Sequence, residues 1–160
     1  EKADKAMPMT AQADAMRHDD QKQVTDLTGN VVVTKGSIVM RGGRIEIRQD
    51  VQGNHSATIY TEMDTPAFFR QKREGLNEFI EGQADRIEYD SAANTVTLYR
   101  KAVFRRLGGT AVLDELKGSK IVYDSATDRY AVDGGPANAS VINPSGNTKS
   151  NPSLPLFWLH

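Results

Sequence analysis

Arg86-Ile87-Glu88-Tyr89-Asp90-Ser91-Ala92 reappears later in the chain as Lys120-Ile121-Val122-Tyr123-Asp124-Ser125-Ala126, an offset of 34 residues from Ile87 to Ile121. In both copies large apolar side chains occupy every second position and the run ends in Asp-Ser-Ala, which is typical of a strand that enters a turn. A second echo pairs residues 40–47 with residues 116–123, and Ile80-Glu81-Gly82 before Ile87 is a looser third copy of it. Repeats of this kind predict units that stack into one core, because no single unit can close a core alone.

Short runs of β-branched and aromatic residues recur along the rest of the chain and predict an all-β fold. The predicted strands lie at 31–34, 38–40, 45–47, 87–89, 96–98, 103–104, 121–123 and 130–132. Glycine pairs at 42–43, 108–109 and 134–135 are predicted to form hairpin turns. One weak helical candidate lies between Gln71 and Phe79, where Gly75 interrupts it. Stacked units predict two sheets that face each other across an apolar slot, and an ordinary β-sandwich with similar turns is the alternative.

The composition excludes several classes of protein. The chain has 160 residues and no cysteine, which excludes disulfides, thiolate metal sites and a cysteine nucleophile. Its formal net charge of −1 gives no support to binding of nucleic acid through bulk charge. No run approaches the ~20 apolar residues that a membrane-spanning helix needs. The sequence also lacks a basic start followed by an apolar core, so we expect any signal peptide to be absent or already removed.

The residues that could carry catalysis are scattered. His18, His55 and His160 match no metal-ligand spacing, so we predict no metal site and no cofactor. Asp90 and Asp124 occupy equivalent repeat positions and could form a carboxylate pair for glycoside hydrolysis. Their Asp-Ser-Ala context instead favours turns in which the carboxylate accepts hydrogen bonds from nearby backbone N–H groups. We therefore predict no catalytic residue and no enzymatic activity.

The remaining candidate site is the interior of the predicted stack. Large apolar side chains share one parity in successive units, which predicts either a filled core or a slot left partly open for acyl chains. On the second hypothesis the predicted lipid-binding residues are Met9, Ala11, Val31, Val33, Ile38, Met40, Ile45, Ile47, Phe69, Ile87, Tyr89, Leu98, Phe104, Ile121 and Tyr123. Such a site needs apolar walls and no specific polar group.

Five short motifs follow one another between Pro8 and Val141. They are residues 8–14, 66–71, 81–89 and 116–123, and the segment Leu27-Thr28-Gly29-Asn30-Val31-Val32-Val33-Thr34-Lys35-Gly36. That segment is similar to a Thr-Gly-Asn-Val-x-Val-x-x-Gly signature, and the other four resemble the first, central and late strands of the same family. The chain therefore resembles the LptA/OstA family of periplasmic lipopolysaccharide-transport proteins.

This resemblance implies an OstA-like β-jellyroll of stacked antiparallel strands, open at both ends, over residues 1–142. It implies a hydrophobic groove that shields the lipid A acyl chains of lipopolysaccharide in the periplasm of a Gram-negative bacterium. The implied role is a bridge between inner and outer membranes for outer-membrane assembly, with head-to-tail docking to LptC-like and LptD-like proteins. The alternatives are a structural β-repeat scaffold without ligand, an excised periplasmic domain of LptC or LptD, and a carbohydrate-active repeat enzyme.

The two ends of the chain differ from the stack between them. Residues from Pro136 onward are rich in Asn, Ser, Pro and Gly, and we predict a flexible C-terminal tail over 143–160. Within this tail, residues 154–160 are mostly apolar, and three alternatives stay open for them: docking on the fold, a contact with another molecule, or an origin in cloning. The first strand at 8–13 and the last ordered strands, at 130–132 and 141–142, are predicted to leave unpaired backbone groups at opposite ends. Such edges predict a head-to-tail homo-oligomer formed by β-augmentation.

Overall fold

The computed structural model describes residues 4, 6–62, 64–73, 77–134, 140–142, 148–150 and 157–159, with side chains described as far as Gly134. Its strands are β1 Met9–Gln12, β2 Ala15–Asp19, β3 Val24–Lys35, β4 Ile38–Gln49, β5 His55–Tyr60, β6 Ala67–Lys72, β7 Glu78–Ala84, β8 Arg86–Asp90, β9 Thr95–Gly108, β10 Ala111–Asp124, β11 Arg129–Asp133, β12 Ser140–Ile142, β13 Thr148–Ser150 and β14 Phe157–Leu159. The described residues include no α-helix, and within them no helix is long and apolar enough to cross a membrane. The predicted helix between Gln71 and Phe79 was wrong, because Gln71 lies in β6 and Phe79 in β7.

One continuous hydrogen-bonded sheet joins the described strands and folds into two layers. The first layer follows the order β2, β3, β4, β5, β8, β9, β10, β11, β14. The second follows the order β1, β3, β4, β6, β7, β9, β10, β12, β13. β3, β4, β9 and β10 belong to both layers, because each half of these long strands pairs with different neighbours. This antiparallel arrangement confirms the all-β prediction and is a β-jellyroll.

The four shared strands bend at matching points, and these bends form one side of the molecule, which we call the spine. The spine consists of Gly29-Asn30 in β3, Gly42-Gly43 in β4, Arg100-Lys101 in β9 and Gly118 in β10. The prediction of a hairpin turn at Gly42-Gly43 was wrong, since both residues lie inside β4. A Cβ added at Gly43 would lie 2.5 Å from the Cβ of Glu62, so the glycine pair allows the neighbouring chain to approach closely. The turn predicted at Gly108-Gly109 is found between β9 and β10.

On the side opposite the spine both layers end in turns, and we call this side the mouth. The first-layer turns lie at 20–23, 51–54, 91–94 and 125–128, and the second-layer hairpins turn at 36–37 and 109–110. Each first-layer turn follows an aspartate whose Oδ1 accepts hydrogen bonds from backbone N–H groups further along: Asp19, Asp50, Asp90 and Asp124. The Asp-Ser-Ala repeat is therefore a turn motif, as the sequence predicted.

The outermost described strands lie at opposite ends of the two layers. At one end β1 and β2 each pair only with β3. At the other end β13 pairs with β12 and β14 pairs with β11. The edges predicted at 130–132 and 141–142 were therefore wrong, since later segments of the chain add a strand to each. Residues 135–139, 143–147, 151–156 and 160 lie outside the described residues, so the turn at Gly134-Gly135 and the boundary at 142 stay predictions.

Candidate functional site: the interior between the layers

The predicted lipid-binding residues converge on one apolar cluster between the layers. Thirteen of them are buried and belong to this cluster: Val31, Val33, Ile38, Met40, Ile45, Ile47, Phe69, Ile87, Tyr89, Leu98, Phe104, Ile121 and Tyr123. Met9 is partly buried against the cluster, and Ala11 is exposed. Next to these positions Glu46, Glu88 and Val122 lie on the outer faces and are partly exposed. The shared parity therefore identifies the inward face of each strand.

The interior also contains residues that the sequence analysis did not select. Leu27, Ile59, Ile80, Leu116, Tyr130 and Val132 are buried in the same cluster. A signal for some of them was present in the sequence, because Leu116 matches Met40 in the second echo and Ile80 belongs to the loose third copy. Ile59 and Tyr130 lie in segments outside those echoes, and their inward direction follows only from pairing with Ile87 and Tyr123 on neighbouring strands.

Aromatic contacts join the layers across the interior. The ring centroids of Phe69 in the second layer and Tyr89 in the first are 5.7 Å apart. Phe104 in the second layer packs against both Tyr123 and Tyr130, with centroids 5.3 Å and 4.8 Å away. Burial raises the pKa of Tyr89 and of Tyr123 to about 12, so both hydroxyls stay neutral near neutral pH. Side chains thus fill the interior over most of its length. The sequence alone had allowed either a filled core or a partly open slot.

An opening remains at the end formed by β1 and β2. There a cavity of about 240 Å³ is lined by Met9, Ala11, His18, Gln23, Thr25, Leu27, Ile47, Gln49 and His55. Its inner wall is apolar, because Leu27 and Ile47 belong to the buried cluster. Its rim is polar and includes His18 and Gln23. The apolar interior therefore reaches the surface where the two edge strands separate.

Polar groups close the mouth. The buried polar or charged residues of the described part lie at or beside the strand ends on this side: Asp4, Lys35, Gln71, Arg73 and Ser91. The amide and hydroxyl of Ser37 donate to the Asp4 carboxylate at 2.7 Å and 2.6 Å. Lys35 Nζ of the second layer lies 3.5 Å from His55 Nδ1 of the first. Burial and the charge of Lys35 lower the pKa of His55, which favours the neutral imidazole.

A second polar contact across the mouth involves Arg73, which follows β6. Its Nε donates to Asp128 Oδ1 at 3.1 Å, and a second guanidinium nitrogen binds Asp128 Oδ2. The third nitrogen binds Glu78 in β7, on the same layer as Arg73. The hydroxyl of Tyr123 also donates to Asp128 Oδ1, at 2.9 Å. Arg73 is 7% exposed and Asp128 is 35% exposed, so the guanidinium is buried while the carboxylate keeps partial contact with water.

The residues considered for catalysis on the sequence, as far as the structure describes them, lie apart from one another. Asp90 and Asp124 serve separate turns. The ring of His18 lies 2.8 Å from the hydroxyl of Thr25, on the first-layer edge. His160 lies outside the described residues. Within the described part, no group of three or more His, Cys, Asp and Glu side chains could hold a metal ion.

Comparison with known proteins gives consistent matches. A family model described as LptA/(LptD N-terminal domain) LPS transport protein matches residues 10–129. The lipopolysaccharide export system protein LptH of Pseudomonas aeruginosa is 31% identical over 140 residues, which cover 88% of this chain and 75% of LptH. The export system protein LptA of Haemophilus influenzae is 26% identical over 133 residues, which cover 83% of this chain and 74% of that protein.

A solved structure extends this similarity to the fold. The crystal structure of Pseudomonas aeruginosa LptH matches with a TM-score of 0.73 and 25% sequence identity. The match covers 98% of this chain and 97% of that one. LptH is described there as the LptA-homologous periplasmic component of the conserved lipopolysaccharide transport device. The two-layer arrangement thus recurs in a protein named for lipopolysaccharide transport.

Proposed function

The chain belongs to the LptA/LptD N-terminal domain family of lipopolysaccharide transport proteins, and we propose that it carries lipopolysaccharide through the periplasm with the acyl chains held between its two layers. One observation supports this role most directly. The apolar cluster runs between the layers and reaches the surface at a cavity lined by Met9, Leu27 and Ile47. Acyl chains need such apolar walls, and the polar rim leaves the sugar headgroup in water.

The energetics favour a carrier whose interior is closed when empty. Burial of acyl carbon contributes ~0.8 kcal/mol per CH₂ group, so permanent enclosure of several chains would prevent release. A filled interior offsets part of this gain, because the side chains of the two layers must separate before the lipid can replace their contacts with each other. The net affinity is then low enough for transfer to the next protein.

A structural scaffold without ligand is the second candidate, and the filled interior favours it. Re-isolation of delipidated protein after incubation with lipopolysaccharide separates the two functions. A carrier retains lipid in stoichiometric amount, whereas a scaffold retains none. The variant Met9→Asp places a charge on the cavity wall and should lower the retained lipid by about tenfold, since an acyl chain that packs on this wall would remove the charge from water. Val51→Asp is the matched control, because Val51 is 99% exposed on a turn.

The proposed role requires no chemical step. Asp90→Asn combined with Asp124→Asn should leave lipid retention unchanged, because an asparagine oxygen accepts the same turn hydrogen bonds as the carboxylate. Circular dichroism verifies the fold of the double variant. Loss of transport by a folded double variant, in a strain depleted of the native protein, would instead support a chemical role.

Bridging between membranes is the second part of the proposal. The edge strand β2 is exposed along its whole length, and Met16 within it is 65% exposed. Because the two ends of the jellyroll differ, contact between them is heterologous and can extend into a filament. We propose that the same ends bind LptC-like and LptD-like partners by β-augmentation.

Light scattering over a wide concentration range tests this assembly. The mean mass should rise with concentration for the unaltered protein. Met16→Asp places a charge on the β2 edge and should move the transition to higher concentration, while Val51→Asp on the exposed β4–β5 turn should not. A constant monomer mass at high concentration would remove the assembly proposal and leave lipid carriage untouched.

A further inference from the structure

The two long sides of the interior are closed by different means. Along the spine, four polypeptide strands pass from one layer to the other. Along the mouth, contacts such as Lys35 with His55 and Arg73 with Asp128 close the gap through side chains. On the basis of the proposed lipid carriage, we propose that the acyl chains enter sideways through the mouth, at the bridge between Arg73 and Asp128.

The bridge between Arg73 and Asp128 connects the two layers. Arg73 follows the mouth end of β6 in the second layer, and Asp128 ends the β10–β11 turn of the first. By contrast, the ion pair of Arg105 with Glu115 joins neighbouring strands of a single layer. Release of the Arg73 bridge would therefore allow the β10–β11 hairpin to move away from the second layer.

The charges around Arg73 permit this release without leaving an unpaired buried cation. Arg73 binds Glu78 on its own layer as well as Asp128 on the other. When Asp128 moves away, Glu78 still neutralises the guanidinium. Asp128 is already 35% exposed, so its carboxylate can return to water. A cation with one partner on each layer is suited to a bridge that opens and closes.

The bridge lies beside the aromatic layer that fills this end of the interior. Tyr123 contacts the bridge through its hydroxyl, and its ring packs on Phe104 and Tyr130. Tyr130 is 2% exposed, and its hydroxyl has no hydrogen-bond partner among the described residues. A carbonyl of an ester-linked or amide-linked acyl chain would satisfy that donor. The region behind the bridge therefore offers both apolar surface and one donor to an acylated ligand.

Sideways entrance also suits an amphipathic lipid. A molecule with several acyl chains on one polar headgroup can insert the chains through a lengthwise gap while the headgroup stays in water. Passage of the headgroup through the interior would remove its polar groups from water at high cost. The mouth runs lengthwise and has a polar rim, whereas at the spine the backbone itself crosses between the layers.

A reversible crosslink across the mouth tests the proposal. The chain has no cysteine, so Asn77→Cys with Thr127→Cys introduces one thiol on each side of the bridge and keeps Arg73 and Asp128 intact. Asn77 and Thr127 are both exposed. A short bis-maleimide with a cleavable disulfide should slow the uptake of fluorescent lipopolysaccharide by about tenfold, and reductant should restore it, because opening precedes binding.

The matched control joins two residues of one layer. Thr97→Cys and Val122→Cys lie opposite each other on β9 and β10, on the outer face, and their crosslink should leave the uptake rate unchanged. Uptake by the mouth-crosslinked protein at the control rate would overturn sideways entrance and favour the open end between β1 and β2. Failure of the uncrosslinked protein to bind lipid would overturn the proposed carriage, and this inference with it.

A second variant measures opening without lipid. Asp128→Asn removes the charge of the bridge, and asparagine tolerates the left-handed backbone at this position, where φ is 57°. Spin labels on Thr110→Cys and Thr127→Cys report the separation of exposed turns in the two layers. Asp128→Asn should broaden this distance distribution toward longer values, and Glu115→Gln should not. An unchanged distribution in a folded Asp128→Asn variant would contradict the role of the bridge.

Discussion

The spine and the mouth enclose the same apolar interior, but they depend on different physical contacts. At the spine, backbone continuity and close approach at glycine fix the layers together, and Gly43 has no space for a side chain. At the mouth, buried polar side chains such as Lys35 and Arg73 meet partners from the other layer. For the proposed sideways entrance, the layers would separate at the polar contacts of the mouth and stay joined through the backbone of the spine.

The largest expected effect comes from the aromatic layer that both sides enclose. Phe104→Ala should lower the free energy of unfolding by about 3–5 kcal/mol, because it removes a buried ring that packs on Tyr123 and Tyr130. Phe68→Ala is the matched control on the outer face, where the ring packs under Arg41, and should cost about 1 kcal/mol. Urea unfolding measures both. Equal losses would mean that the interior contributes no more than the surface.

At the spine, Gly43→Ala should lower the free energy of unfolding by about 1–3 kcal/mol, because the added Cβ meets Glu62 backbone atoms at 2.7 Å and 2.9 Å. Gly108→Ala is the control, since its added Cβ meets the flexible end of Leu113 at 3.2 Å. Thermal unfolding followed by circular dichroism compares the two. If Gly43→Ala and Gly108→Ala lower the stability equally, close packing at Gly43 does not hold the layers together at the spine.

At the mouth, Asp128→Asn should lower the free energy of unfolding by about 1 kcal/mol. Hydrogen bonds to charged groups contribute about 1.5–3 kcal/mol, and partial exposure of Asp128 reduces this through solvent screening. The one-layer control Glu115→Gln should cost less than Asp128→Asn, because the Arg105 side chain that Glu115 binds is 40% exposed, whereas that of Arg73 is 7% exposed. If the order of these two losses is reversed, the mouth bridge is not a stabilising contact.

The smallest expected effect is a pH dependence at His55. Its folded-state pKa is lowered by burial and by Lys35, with Asp50 acting in the opposite direction, so the unfolded chain binds the proton more readily than the folded one. Stability from this group is present above the unfolded pKa of ~6.5 and is lost as the pH falls through the lower folded pKa. His55→Asn should flatten the difference between urea midpoints measured above and below pH ~6.5. If the His55→Asn variant keeps the full difference between the two urea midpoints, groups other than His55 cause the pH dependence.

The sequence predicted the inward face of the strands more accurately than their connections. Parity is a local property of alternation, so Ile45, Ile87 and Ile121 could be placed inside without knowledge of the fold. The bends of the spine could not be predicted from the sequence, because a glycine pair inside a strand looks the same as a glycine pair in a turn. Only the structure shows that Gly43 lies against Glu62. The bridge of Arg73 to Asp128 depends on residues far apart in the chain, and their meeting follows only from the layered topology. The strand β14 was missed because an apolar run in a polar tail has no periodicity to reveal its partner β11.

Photo-crosslinking at consecutive residues tests most directly whether lipid lies between the layers. A photoreactive side chain is introduced at Ile87 or at Ile121, which point inward, and at Glu88 or at Val122, which are partly exposed on the outer face. Each protein is incubated with lipopolysaccharide and irradiated, and covalent adducts are quantified. The account predicts adducts at positions 87 and 121 and background levels at positions 88 and 122. Equal labelling of inward and outward positions would contradict it.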